Sequence, residues 1–311
     1  MILTFDNNDY NLPDFFIVGA PKCGTSAVAS YLREHPDIFM PYRKELHHFA
    51  TDLYKSDSRQ FDKSFFYSFF EEAKNEQIVG DASVFHLYSK TAAINIKQFN
   101  PEAKILMFLR NPTDMLYSYH SQLTYNGDEN LPDFEEAIKA EEDRKKGIRI
   151  PSDVKFPSML YYSDVVRFTE QIKRYYDVFP KEQIKIIIFD DFKSNTNSVY
   201  AEILRFLNVD NSFNPDFKVI NPNKVSRSPI LRRIYGKKPA FIEQIGRLVL
   251  PSKKLRRKLL QKVKSANTKH VARPKLQADT KAELILKFKP EVQKLEDLIE
   301  RDLSSWYEIK N

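Results

Sequence analysis

"FFIVGAPKCGTSAV", residues 15–28, decides how the rest of the chain is read. Its opening run is apolar, aromatic and β-branched, the pattern of a strand buried in a parallel sheet. Gly19 and Gly24 then stand at the spacing of a phosphate-binding loop, and Thr25 and Ser26 add hydroxyls. A nucleotide-hydrolysing loop carries its lysine directly after the second glycine, to reach the β- and γ-phosphates. Here that slot holds Thr25, and the lysine, Lys22, lies inside the loop. A strand, a glycine-bearing loop and a helix start make an anion cradle, because converging N–H groups and the helix terminus both favour negative charge. The alternative is a plain tight turn, which leaves the lysine and the two hydroxyls as coincidence.

Working outward, a helix is expected over 25–35, with Ala27, Val28, Tyr31 and Leu32 on one face and Pro36 stopping it. "AKILMFLRNP" (103–112) reads as a second buried strand with Pro112 suited to the next helix's first turn, and "IKIIIFDDF" (184–192) as a third. Helical periodicity marks 113–125, 133–145, 160–177, 197–207 and a charged amphipathic stretch, 279–302, ending near Trp306. Strands alternating with helices predict an α/β fold, a phosphate-loop-like three-layer sandwich with a central parallel sheet, as one domain over 1–311.

The chain has 311 residues, 42% hydrophobic and 13% aromatic, which excludes a disordered polypeptide. Cys23 is the single cysteine, so a disulfide framework and a multi-cysteine metal site are both excluded, and no metal is expected. The polar first dozen residues and the lack of an apolar run near ~18 residues lead to the expectation of a cytoplasmic protein. Between Lys224 and Lys275 lie seventeen Lys/Arg and one acid, Glu243: net +16 against +7 for the chain, leaving −9 elsewhere. Such asymmetry places the basic character in one segment and argues against a general affinity for nucleic acid.

"IVGAPKCGTSAVASYLREHPDIFMPYRKELHHFATD" (17–52), "VGDASVFHLYS" (79–89), "ILMFLRNPTDMLYSYHSQ" (105–122), "IIIFDDF" (186–192) and "NPNKVSRS" (221–228) occur in this order. Together they resemble the sulfotransferases that use 3′-phosphoadenosine 5′-phosphosulfate (PAPS), particularly bacterial ones and the related glycan and heparan-sulfate O-sulfotransferases. The resemblance implies a transferase of the EC 2.8.2 class. It would move the sulfuryl group from PAPS to an acceptor hydroxyl by in-line displacement, leaving adenosine 3′,5′-bisphosphate. It also accounts for the displaced lysine, since PAPS has no γ-phosphate.

By that resemblance Lys22 contacts the 5′-phosphate and the bridging oxygen, where charge develops as the sulfuryl group departs. Gly24, Thr25 and Ser26 hold the 5′-phosphate, and Cys23 is counted with this loop as a small residue tolerated there. Arg110, at a strand end, and Ser118, about two helical turns on, match the family's 3′-phosphate spacing. Arg227 matches a late basic position near the cofactor.

In "RKELHHF" (43–49), Glu45 aligns with the glutamate that takes the acceptor's proton in the glycan enzymes. If the segment is extended, Glu45 and His47 point to one side and His48 to the other. His47 is the second candidate base. Asp81, in "GDASV", is either an orienting group, a further base or half of a salt bridge; Ala82 stands where several glycan enzymes carry a lysine, which puts heparan-type acceptors in doubt. Polysaccharide, lipid-linked sugar, polyketide and small alcohol all stay open as acceptors. The basic segment 224–275 reads as a solvated face, or as a lid that attracts an anionic acceptor or rests on an anionic membrane. Two other functions are kept beside this one: a phosphate-loop nucleotide kinase or NTPase, and a non-catalytic polyanion-binding protein.

Overall fold

A computed structural model describes residues 2–5, 8–74, 77–152, 154–217, 224–228 and 265–308, with Leu255, Leu259, Lys262 and Val263. Most of the basic segment 224–275, including Lys253, Lys254, Arg256, Arg257 and Lys258, lies outside the described residues, and so does the lid expected of it. The chain divides into two compact units: Met1–Leu116, Tyr162–Ile220 and Ala278–Asn311 form the first, Tyr117–Tyr161 and Asn221–Gln277 the second.

The first unit opens with an antiparallel hairpin, β1 (Ile2–Phe5) and β2 (Asn8–Asn11). Its core is a parallel sheet of β3 (Phe15–Gly19), β4 (Ile38–Phe39), β5 (Ile78–Ala82), β6 (Lys104–Leu109) and β7 (Ile184–Ile188), in the order β4-β5-β3-β6-β7. Every residue of β3 is buried, and helices such as Thr25–Glu34, Ala92–Phe99 and Thr196–Leu207 follow strands in the α/β manner. The α/β expectation is therefore met. β3 is central, with β5 and β6 beside it, so the loop leaving its C-terminal end opens where ligands bind in such sheets.

The structure corrects several sequence-based boundaries. β4 and β5 were not foreseen: "IVGDA" carries a glycine and an aspartate, and only pairing to β3 and β4 makes it a strand. The third strand stops at Ile188, and Phe189–Ser194 turns helical, with Asp190 and Asp191 in a first turn that favours acids. The stretch 160–177 is a 3-10 turn, Pro157–Leu160, and two helices, Tyr162–Val165 and Phe168–Tyr176. The last helix runs Ala278–Ile299, and Trp306 sits buried beyond it, its indole N–H donating to Asp190 at 2.8 Å.

In the second unit, the stretch expected as one helix over 133–145 is two, Phe134–Lys139 and Glu141–Lys145. Arg144 and Glu129 form a fully buried bidentate ion pair at 2.8 and 2.7 Å. A short ribbon pairs β8 (Lys224–Ser226) with β9 (Thr268–His270).

Candidate active site

The phosphate loop is built from conformations that few side chains tolerate. Gly24 has φ +90°, and a Cβ there would crowd the Phe189 ring at 3.2 Å. Lys22 also lies in the left-handed region, at φ 65°. Glycine adopts that region freely, whereas for lysine it stores strain that the surroundings must hold. Arg110 helps hold it: one guanidinium nitrogen donates to the Lys22 carbonyl at 3.3 Å while the group stacks 4.7 Å from the Phe189 ring centroid. Gly24 caps helix Thr25–Glu34 with no side chain, and no acid occupies the first turn. Among the described residues no side chain caps the helix's leading N–H groups, the condition an incoming phosphate needs. Cys23 is fully buried and its thiol is pushed up to about 12, by burial first, against the opposing pull of Arg110 and Lys22. It is a packing residue of the loop.

A charged cluster forms around Glu45, the candidate base. Its carboxylate accepts from the Val84 N–H at 3.0 Å and lies 3.2 Å from His47 Nε2 and 3.3 Å from Lys44 Nζ. Burial alone would raise this carboxyl; Lys44, the His47 contact and the Val84 amide more than offset it and hold the group at about 2. Glu45 is therefore ionised at neutral pH. The segment is not extended as expected: Glu45 and His47 take φ 60° and 52°, and the Glu45 N–H donates to the Ala82 carbonyl, clamping the loop to β5. Glu45 and His47 nonetheless meet, while His48 turns away to stack on Phe66 at 4.2 Å and bond the Gln60 carbonyl.

Lys44 was given no role by the sequence reading. Its ammonium donates to Ser26 Oγ at 2.9 Å, joining the phosphate loop to Glu45. A lysine directly preceding the candidate base was the available signal. Asp190 accepts from the Trp306 indole, and Asp191 pairs with Arg301.

Ser118 and Arg227 belong to the second unit. Ser118 is buried, and among the described residues the guanidinium that reaches it is that of Arg273, which donates to Ser118 Oγ and Ser121 Oγ at 3.1 Å each and lies over Tyr117. Arg227 is exposed, its backbone N–H bonded to the Asn267 carbonyl. Arg273 lay within the basic run, where periodicity gave it no distinction.

A central parallel strand, an uncapped helix start and a charged cluster near it give an α/β fold of the phosphate-loop type. The chain belongs to the sulfotransferase domain family, whose profile matches residues 12–234. A sulfotransferase from Alicyclobacillus acidocaldarius has the same fold: 30% identical, TM-score 0.70, covering 96% of this chain and 99% of its own. Carbohydrate sulfotransferase 15 of Rattus norvegicus is 24% identical over 290 residues, covering 72% of this chain and 52% of its own length. The membrane-associated sulfotransferase kil1 of Dictyostelium discoideum is 21% identical, covering 68% of this chain and 59% of its own. This chain thus spans somewhat over half the length of these curated relatives. Among the described residues no helix is long and apolar enough to cross a membrane.

Proposed function

We propose that this protein transfers the sulfuryl group of PAPS to a hydroxyl of a carbohydrate or other alcohol acceptor. The observation that supports the reading is the contact network running from Ser26 through Lys44 to Glu45 and His47. The donor's 5′-phosphate suits the amides and hydroxyls of Gly24, Thr25 and Ser26. Lys22 supplies charge where the bridging oxygen becomes anionic as the S–O bond breaks, the place where fixed charge lowers a barrier most.

Lys44 has a second use. In the free protein it is the strongest attraction holding Glu45 in its ionised form. An anionic donor draws that ammonium toward itself, and Glu45 then gains proton affinity when the acceptor hydroxyl must lose its proton. The hydroxyl oxygen attacks sulfur, its proton passes to Glu45, and adenosine 3′,5′-bisphosphate leaves. In the first unit, Arg110 shapes the Lys22 loop and is the residue we assign to the donor's 3′-phosphate; in the second, Arg273, Ser118 and Ser121 form a group suited to an anion. The carbohydrate sulfotransferase likeness favours a sugar acceptor.

The test is incubation of the protein with ³⁵S-labelled PAPS and a panel of glycans, lipid extracts and small alcohols, beside thermal shift with adenosine 3′,5′-bisphosphate, ADP and ATP with Mg²⁺. Label transfer and stabilisation by the bisphosphate are expected. Stronger stabilisation by ATP with Mg²⁺, without label transfer, overturns the reading.

A further inference from the structure

Beneath Glu45 and His47 lie two ionisable side chains that sulfuryl transfer does not itself touch. Asp81, near the end of β5, and His86, in the turn beyond it, are both fully buried. Asp81 Oδ2 and His86 Nδ1 are 3.8 Å apart. Neither carboxylate oxygen and neither ring nitrogen has a hydrogen-bond partner among the described residues. His47 adds a third bare atom, its buried Nδ1, and its ring meets that of His86 edge-on with centroids 5.9 Å apart. Bare polar atoms in a dry interior are costly, and charged ones far more so.

The surroundings decide which protonation state this cluster holds. Lys44, Glu45, His47 and His48 are the titratable groups around it. Burial raises Asp81 to about 7, with the Glu45 charge adding to it, against the pull of Ser83 and Ala82, which lie near the carboxyl without closing a well-formed hydrogen bond, and of Lys44. Burial also holds His86 neutral, well below its ordinary value, with His47 and His48 pushing the same way and Glu45 opposing. A protonated Asp81 beside a neutral His86 therefore leaves Glu45 as the cluster's lone anion. Loss of that proton to solvent puts a second negative charge near Glu45, and each carboxylate then raises the other's proton affinity.

We propose that Asp81 stays protonated beside a neutral His86, the two forming a neutral buried pair, and that release of this proton sets how strongly Glu45 accepts one. Asp81 is thus a positioning residue for the transfer. The catalytic half of this inference rests on the sulfotransferase reading; the buried proton does not.

The experiment is ring ¹⁵N spectroscopy of the unliganded protein labelled at its six histidines, between pH 5 and 9. His47 and His86 are assigned from the signals lost in His47→Gln and His86→Gln. The His86 ring is expected to shift with a midpoint near 7, and this shift to vanish in Asp81→Asn. The same titration in wild type and Asp81→Asn overturns the proposal. Should that variant not fold, ¹³C-carboxyl aspartate labelling of the wild type serves: one carboxyl titrating near 7 supports the pair, and none doing so removes it. A protein inert toward PAPS that still shows this titration would sink the transferase reading and leave the pair standing. With an active enzyme, Asp81→Asn should erase the limb of the kcat profile near pH 7 and leave bisphosphate affinity within about twofold. A loss uniform across pH would make Asp81 merely structural.

Discussion

Lys44 Nζ stands 2.9 Å from Ser26 Oγ, so one ammonium ties the first turn of the phosphate-loop helix to the segment carrying Glu45. Removing that charge with Lys44→Met should let the Glu45 carboxyl rise from about 2 toward the ordinary carboxylate range. A transition state deprived of one aimed cation should cost roughly 10²–10³ in kcat. Bisphosphate affinity should fall by much less. Kinetics beside calorimetric titration of the bisphosphate check both, and an unchanged kcat would reduce Lys44 to a surface tie.

Glu45→Gln keeps the shape of the side chain and its Val84 hydrogen bond while removing the base. Turnover should drop by roughly 10²–10⁴ with the bisphosphate bound as tightly as before. Retained activity would move proton acceptance to His47.

The buried Asp81 carboxyl gives stability a pH dependence of definite sign. It binds its proton more tightly folded, at about 7, than unfolded, near 3.8. Its contribution is fully present below pH ~4 and is lost as pH rises toward ~7, at about 1.4 kcal/mol per pH unit. His48, His86 and His120, all lowered by burial, act oppositely: the unfolded chain protonates them below their ordinary value of 6.5, so they cost stability as pH falls. Asp81→Asn keeps those histidine effects and loses only the carboxyl. Relative to wild type, its stability should climb steadily between pH 4 and 7, as read by denaturant unfolding at several pH values. A constant offset would mean that Asp81 is ionised throughout.

Glu129→Ala tests the second unit alone. It strands the fully buried Arg144, whose bidentate partner it removes. Breaking such a pair from one side costs about 3–5 kcal/mol, which thermal unfolding would show as a large drop in Tm. A loss below about 1 kcal/mol would mean that water reaches the guanidinium.

The fold and half of the site were legible because they are written locally. "FFIVG" has no polar residue with which to face water, and Gly24 marks the place where the backbone must turn left-handed. Lys22, Thr25 and Ser26 follow within that loop, so one short window carries strand, cradle and helix start together. "IVGDA" gave no comparable signal, since a glycine and an aspartate interrupt it; its strand character comes from hydrogen bonds to β3, across sixty residues of chain, and to β4.

Residue types and spacings thus determined the α/β class and the phosphate-loop pattern, because strand burial and glycine conformation act within a few residues, while the candidate base Glu45 came from the family resemblance. Tertiary structure alone decided that Lys44 bridges Ser26 and Glu45, that Arg273 is the arginine reaching Ser118, and that Asp81 and His86 are sealed together under His47. Those relationships join positions from five to 155 residues apart. Their energetics depend on distance and on exclusion of water, and neither quantity exists until the chain has folded.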